Sequence, residues 1–184
     1  MRQTHALALA ALAVPAAALA HAVVYPKAST PGAYEKYLLR VPNEKDTART
    51  TRVEIHFPAG LRVVSFGDVP GWTLQVTSDT AGHVTAATWT GTLAPERFVE
   101  FPFVAVNPRT SARLVWPVFQ TYSDGERVEW AGPENGDTPA SVTTIAPAAM
   151  PRGPTWPGYV SAAAVVLALA SLGVAVRAVR PRAA

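Results

Sequence analysis

Between Tyr34 and Ile145 the chain alternates apolar and polar residues in short runs, which proline, glycine and asparagine keep cutting apart. Period two sends successive side chains to opposite faces of a strand, so runs of this kind build half-buried strands rather than helices. In “YEKYLLRV” the alternation sets Tyr37, Leu39 and Val41 on one face. In “RVEIHFP” it turns Val53, Ile55 and Phe57 inward and Glu54 and His56 outward. Further strands read at “LRVVSF”, “WTLQVTS”, “HVTAATW”, “RFVEFPFVAV”, “SARLVWPVFQTY”, “RVEWAG” and “ASVTTI”. Pro31-Gly32, Pro70-Gly71 and Asp124-Gly125 are turn material between them. Pro102 and Pro117 interrupt two of the longer runs and predict edges or bulges there, because proline brings no N–H to a ladder. Many short strands at turn-punctuated spacing define an all-β sandwich.

The two ends have a different character. Arg2 precedes an apolar run from Ala6 to Leu19, and Ala18-Leu19-Ala20 has the small-x-small form that signal peptidase accepts. Residues 1–20 are therefore expected to be an export signal, and cleavage after Ala20 would make His21 the first residue of the mature chain. At the other end no charge occurs from Trp156 to Val176, 21 positions, enough at about 1.5 Å per residue to cross a bilayer core of about 30 Å. Trp156 and Tyr159 suit one interface, and Arg177, Arg180 and Arg182 suit the cytoplasmic side. The expected layout is a β-sandwich domain over 21–146, a proline-rich linker over 147–157, a single transmembrane helix over 158–178 and a short basic tail over 179–184. A sorting signal or a buried helix is the other reading of the apolar stretch. The membrane reading places the domain on the extracytoplasmic side of the cell membrane.

Charge and cysteine usage remove several function classes. The segment from His21 to Met150 carries 3 Lys and 8 Arg against 13 acidic residues, a net of −2, so the overall +3 comes from the ends. With no basic patch and no interleaved aromatics, nucleic acid is a poor partner. Cysteine is absent, which rules out thiolate metal sites, and the only methionines are Met1 and Met150. A metal site in this chain must use nitrogen and oxygen, a set suited to Cu(II) rather than Cu(I).

His21 is the residue that raises the metal question. As a mature N-terminus it would offer an α-amine and an imidazole from one residue. The competing reading is that some residue has to come first and here it is histidine. “HAVVYP” and “YEKYLLRVPNEK” read as two strands joined around Ser29-Thr30-Pro31-Gly32, which brings His21 to the Pro42-Asn43-Glu44 end of the second. Glu44 is the expected carboxylate ligand, with Glu54 and Asp46 as rivals. His56 reads as a surface residue and His83 as the start of a strand after a turn, neither with partners for a second site.

The motifs “HAVVYPKASTPGAYEKY”, “RVPNEKD”, “PGW”, “FPF” and “YSDGERVEWAGP” together resemble the YcnI-like copper-binding family of exported bacterial proteins. The resemblance runs from His21 to about Ile145. It implies an immunoglobulin-like β-sandwich in which Cu(II) is held by a mono-histidine brace. The ligands it implies are the amine and ring of His21 with Glu44 oxygen, and it sets the tryptophan of “VEW”, Trp130, beside the metal. Trp72, Trp89 and Trp116 are expected in the core, and regular alternation turns Glu129 away from Trp130.

The resemblance, joined to the anchor read above, implies a membrane-tethered metallochaperone, not an enzyme, that takes Cu(II) outside the cell and exchanges it with a membrane copper transporter or another exported copper carrier. Two alternatives stand beside it. One is a histidine-brace copper oxidase or monooxygenase, which would need a second histidine near the first, as in lytic polysaccharide monooxygenases. The other is an adhesion or structural sandwich that binds no metal.

Overall fold

The ten-residue strand Tyr34–Asn43 shows how alternation becomes architecture. Tyr37, Leu39, Val41 and Asn43 are buried while Lys36 and Arg40 face solvent. The computed structural model describes residues 21–148, 160 and 162–170. Its strands are β1 (Val23–Tyr25), β2 (Ala28–Ser29), β3 (Tyr34–Asn43), β4 (Thr50–His56), β5 (Arg62–Phe66) and β6 (Thr73–Ser78). They continue with β7 (Val84–Leu93), β8 (Arg97–Val106), β9 (Ala112–Trp116), β10 (Val118–Tyr122), β11 (Arg127–Trp130) and β12 (Ser141–Ile145). They form three sheets, in the orders β1-β3-β8-β5, β11-β10-β4-β7-β6 and β2-β12-β9.

One core lies between the sheets. The four-stranded sheet contributes Tyr37, Leu39, Val41, Phe101 and Phe103, and the five-stranded sheet contributes Val53, Ile55, Trp89 and Val118. Trp89 stacks on Phe101 with ring centroids 4.5 Å apart, and Tyr37 stacks on Phe103 at 5.4 Å. Trp116 is fully buried and donates its indole N–H to Thr143 Oγ1 at 3.1 Å. Trp72 is half-buried, edge-on to Phe101, and lies over Gly91, where any Cβ would collide with its ring. Of the tryptophans expected in the core, Trp89 and Trp116 are there and Trp72 packs against its margin, and large aromatics carry much of the packing.

The prolines need correction. Pro102 is not on an edge: β8 is internal, between β3 and β5. Its carbonyl accepts from Gly67 N at 2.8 Å, just beyond the last paired residue of β5. A residue's N and C=O point to the same side of a strand, so the missing N–H faces a place where β5 has already ended. The bulge in this region is in β5, between Val63 and Ser65. Pro117 divides what reads as one strand into two, with β9 in the three-stranded sheet and β10 in the five-stranded sheet. β2 is two residues long, too short for its alternation to be read.

The chain separates into a unit ending at Ala148 and a second over Ala149–Ala184. In the second, residues 160 and 162–170 are helical. Among the described residues no helix is long and apolar enough to cross a membrane. The expected signal over 1–20, the tail over 179–184 and most of the linker and anchor lie outside the described residues.

Candidate metal centre

Antiparallel pairing of Val23 with Arg40 and Val24 with Leu39 directs the chain start toward the Pro42 end of β3, as the hairpin reading requires. His21 is half-buried there. Its ring meets the ring of Trp130 edge to face, with centroids 5.5 Å apart and planes at 76°. His21 Nε2 lies 3.3 Å from the Asp137 carbonyl oxygen. That carbonyl can only accept, so it favours the tautomer protonated at Nε2 and leaves the Nδ1 lone pair free. Nδ1 is also the ring nitrogen that closes a six-membered chelate with the α-amine of the same residue. Metal-bound histidines are commonly oriented this way, by a hydrogen bond from the other ring nitrogen.

Trp130 ends β11 and is buried. Its indole N–H donates to Gln120 Oε1 at 3.1 Å. Gln120 Nε2 donates to the Pro42 carbonyl and to Thr50 Oγ1, both at 2.8 Å. An indole can only donate and a carbonyl can only accept, so the two neighbours together determine which way the amide is turned. This fully buried glutamine ties the indole plane to the end of β3 from which Glu44 follows.

Asn43 occupies an inward position where the alternation of β3 calls for an apolar side chain. Its Nδ2 donates to the carbonyls of Ala48 at 2.9 Å and Leu93 at 3.2 Å, and its Oδ1 accepts from Lys45 N at 3.1 Å. The loop is thus folded around Asn43, with Glu44 exposed between two pinned residues. The Glu44 charge is felt at Tyr122, two residues after Gln120. Tyr122 is pushed up to about 12, mainly by burial, then by Glu126, Glu44 and Asp124.

The rival carboxylates differ in their commitments. Glu54 accepts from Arg52 at 2.8 Å and lies 2.7 Å from His56 Nε2. The Arg52 hydrogen bond, more than the His56 one, holds its carboxyl below the usual range. Glu44 and Asp46 have no ion-pair partner among the described residues. His56 and Glu54 project from β4 on the face opposite Val53 and Ile55, and His83 pairs with Asp79 at a hollow also lined by Phe57, Gly60 and Arg62. Glu129 is exposed while Trp130 is buried, as alternation requires.

Among the described residues no three His, Cys, Asp or Glu side chains converge as a metal cluster. A metal at His21 would therefore need the terminal amine and a carboxylate beside the ring. Three contributors escaped the sequence reading: Gln120, Asn43 and the Asp137 carbonyl. The first two were detectable in principle, as polar residues at inward positions of otherwise apolar-alternating strands.

The family described as “Domain of unknown function (DUF1775)” matches residues 21–150, and the chain belongs to it, in agreement with the YcnI-like resemblance. The chain is 37% identical over 132 residues to “Copper-binding protein CutI” of Bacillus subtilis (strain 168), covering 71% of this chain and 64% of that protein. The chain thus spans just under two thirds of that relative's length. An uncharacterised protein of Nocardia farcinica, described as having an immunoglobulin-like fold, superposes with a TM-score of 0.60 at 28% identity. That match covers 69% of this chain and 99% of the other, so the all-β fold is immunoglobulin-like.

Proposed function

We propose that the protein binds one Cu(II) outside the cytoplasmic membrane through the amine and Nδ1 of a mature N-terminal His21 and a Glu44 oxygen. The observation that carries this is the edge-to-face seat of His21 on Trp130, with Nε2 turned to a carbonyl and Nδ1 left free. Cu(II) favours a tetragonal set of nitrogen and oxygen donors, and a chain without cysteine offers that set here. The 37% identity to a protein named as copper-binding supports the choice of metal.

The role is that of a metallochaperone, held to the membrane by a helix over 158–178 and exchanging copper with a transporter or another exported carrier. The helical residues 162–170 support a helix in that stretch. A binding role is favoured over an oxygenase because His56 and His83 lie on other parts of the sandwich, leaving His21 without a second imidazole among the described residues.

The test compares a domain beginning at His21 with one carrying a single extra residue before it. Chelation from one residue closes a ring with little further loss of entropy. The extension removes the primary amine and leaves the core untouched. Titration against a competing chelator should show most of the Cu(II) affinity lost in the extended form, with an unchanged circular dichroism spectrum. Equal affinities would refute the brace.

A further inference from the structure

The sandwich has two unlike ends. His21 and Glu44 mark one. At the other, Pro31-Gly32, Gly60, Arg62 and Asn107–Arg109 line an open depression of about 510 Å³. Arg40, Arg52, Arg113 and Arg127 each pair with a carboxylate, whereas Arg62 and Arg109, like Arg49 and Arg97 elsewhere on the domain, pair with none among the described residues; Arg62 and Arg109 differ in lining one hollow together. Asp79, which lines an adjoining hollow with Arg62, is already held by the N–H groups of Ala81 and His83 and by the His83 ring. Two unneutralised guanidiniums over one hollow suit an oxyanion, above all a phosphate, which arginine binds in bidentate fashion.

The course of the chain identifies the source of that phosphate. β12 runs from Ser141, whose Oγ accepts from Val24 N near the His21 end, to Ile145, which pairs with Ser29. Ala146 N then donates to the Ser29 carbonyl at 3.0 Å, so the chain leaves the sandwich beside Thr30 and Pro31, at the arginine end. Residues 147–157 would extend about 34 Å as polyproline and at most about 40 Å. If the following stretch is the anchor proposed above, on which this inference rests, lipid headgroups lie within that reach of the arginine end. Tyr34, 68% exposed, begins β3 at that same end, opposite Val106, and tyrosine is a residue that favours the membrane–water interface.

We infer that the Arg62–Arg109 hollow is a headgroup-binding surface that takes the phosphate of an anionic lipid. It seats the domain with His21 and Glu44 facing away from the bilayer. β3 separates the two ends by about 30 Å, its ten residues rising about 3.3 Å each. A copper-exchange partner would then approach from the aqueous side.

The domain over 21–148 can be tested by itself, since among the described residues the buried core runs from Ala22 to Ile145 and the Nocardia farcinica protein is a separate chain of this fold. It should co-sediment with phosphatidylglycerol vesicles and not with phosphatidylcholine vesicles. The pair Arg62→Gln, Arg109→Gln should weaken that binding roughly 30-fold, at about 1 kcal/mol per arginine near an anionic surface. The charge-matched pair Arg49→Gln, Arg127→Gln, at the metal end, should leave it unchanged. No vesicle binding, or equal loss from both pairs, would overturn the surface. Saturable binding of inorganic phosphate with no vesicle preference would overturn the lipid assignment. These arms are independent of the anchor, which is tested by whether full-length protein leaves membranes without detergent.

Discussion

The Trp130 indole stands on the His21 imidazole at 76°, edge to face, and its own N–H is held by Gln120. The ring proposed to bind copper therefore rests on a group whose orientation is set from the buried interior.

This contact makes Trp130 a reporter. Of the sandwich tryptophans, Trp89, Trp116 and Trp130 are buried in the core and Trp72 packs against it, and Trp130 is the one whose ring meets His21 among the described residues. Cu(II) should quench part of the indole emission, and Trp130→Phe should remove most of the quenching while one equivalent still binds. Trp130→Leu, which loses the aromatic contact, should weaken binding roughly two- to tenfold, as an aromatic pair contributes about 0.5–1.5 kcal/mol. Fluorescence titration measures both.

Glu44 and Glu54 can be separated by spectroscopy. Glu44→Ala should change the Cu(II) electron paramagnetic resonance spectrum, because a ligand oxygen is replaced by solvent. Glu54→Ala should not, since Glu54 is committed to Arg52 and His56. An unchanged Glu44→Ala spectrum would transfer the ligand role elsewhere, with Asp46 next in line.

Gln120 should matter to stability as well as to the site. Gln120→Leu strips partners from the Trp130 N–H, the Pro42 carbonyl and Thr50. Leaving such buried groups unsatisfied costs about 1–3 kcal/mol, a loss visible as a lower urea midpoint. Gln120→Glu keeps an acceptor for Trp130 and loses both donors, so it should not rescue the fold.

Alkaline pH should unfold the protein in a defined window. Burial pushes Tyr37 up to about 12, with the Glu35 charge adding to it, and Tyr122 reaches about 12 for a like reason. In the unfolded chain both ionise near 10, so below that pH the two states bind equal protons and stability is intact. As pH rises from about 10 to about 12 the unfolded state loses protons the folded state keeps, and stability falls. Phenolate absorbance should show these two of the five tyrosines titrating late in folded protein and normally in urea.

Alternation by itself determined most of the strands, the inward faces of β3 and β4, and the burial of Trp89 and Trp116. The physical reason is local: a period of two is a property of the strand backbone, and apolar side chains every second residue leave one face to be covered. His21, Glu44 and Trp130 were nameable for another reason, since motifs in this chain resemble those of a family. Only the tertiary structure decided what holds them. Gln120 reaches from β10 to the carbonyl of Pro42, 78 residues away in sequence, and Asp137 reaches His21 across 116. Pro102 sits in an internal strand because β5 stops beside it, and Pro117 divides one apparent strand between two sheets. Which sheet a strand joins, where its neighbour ends and which buried amide meets which carbonyl depend on contacts between distant segments. No local period encodes them.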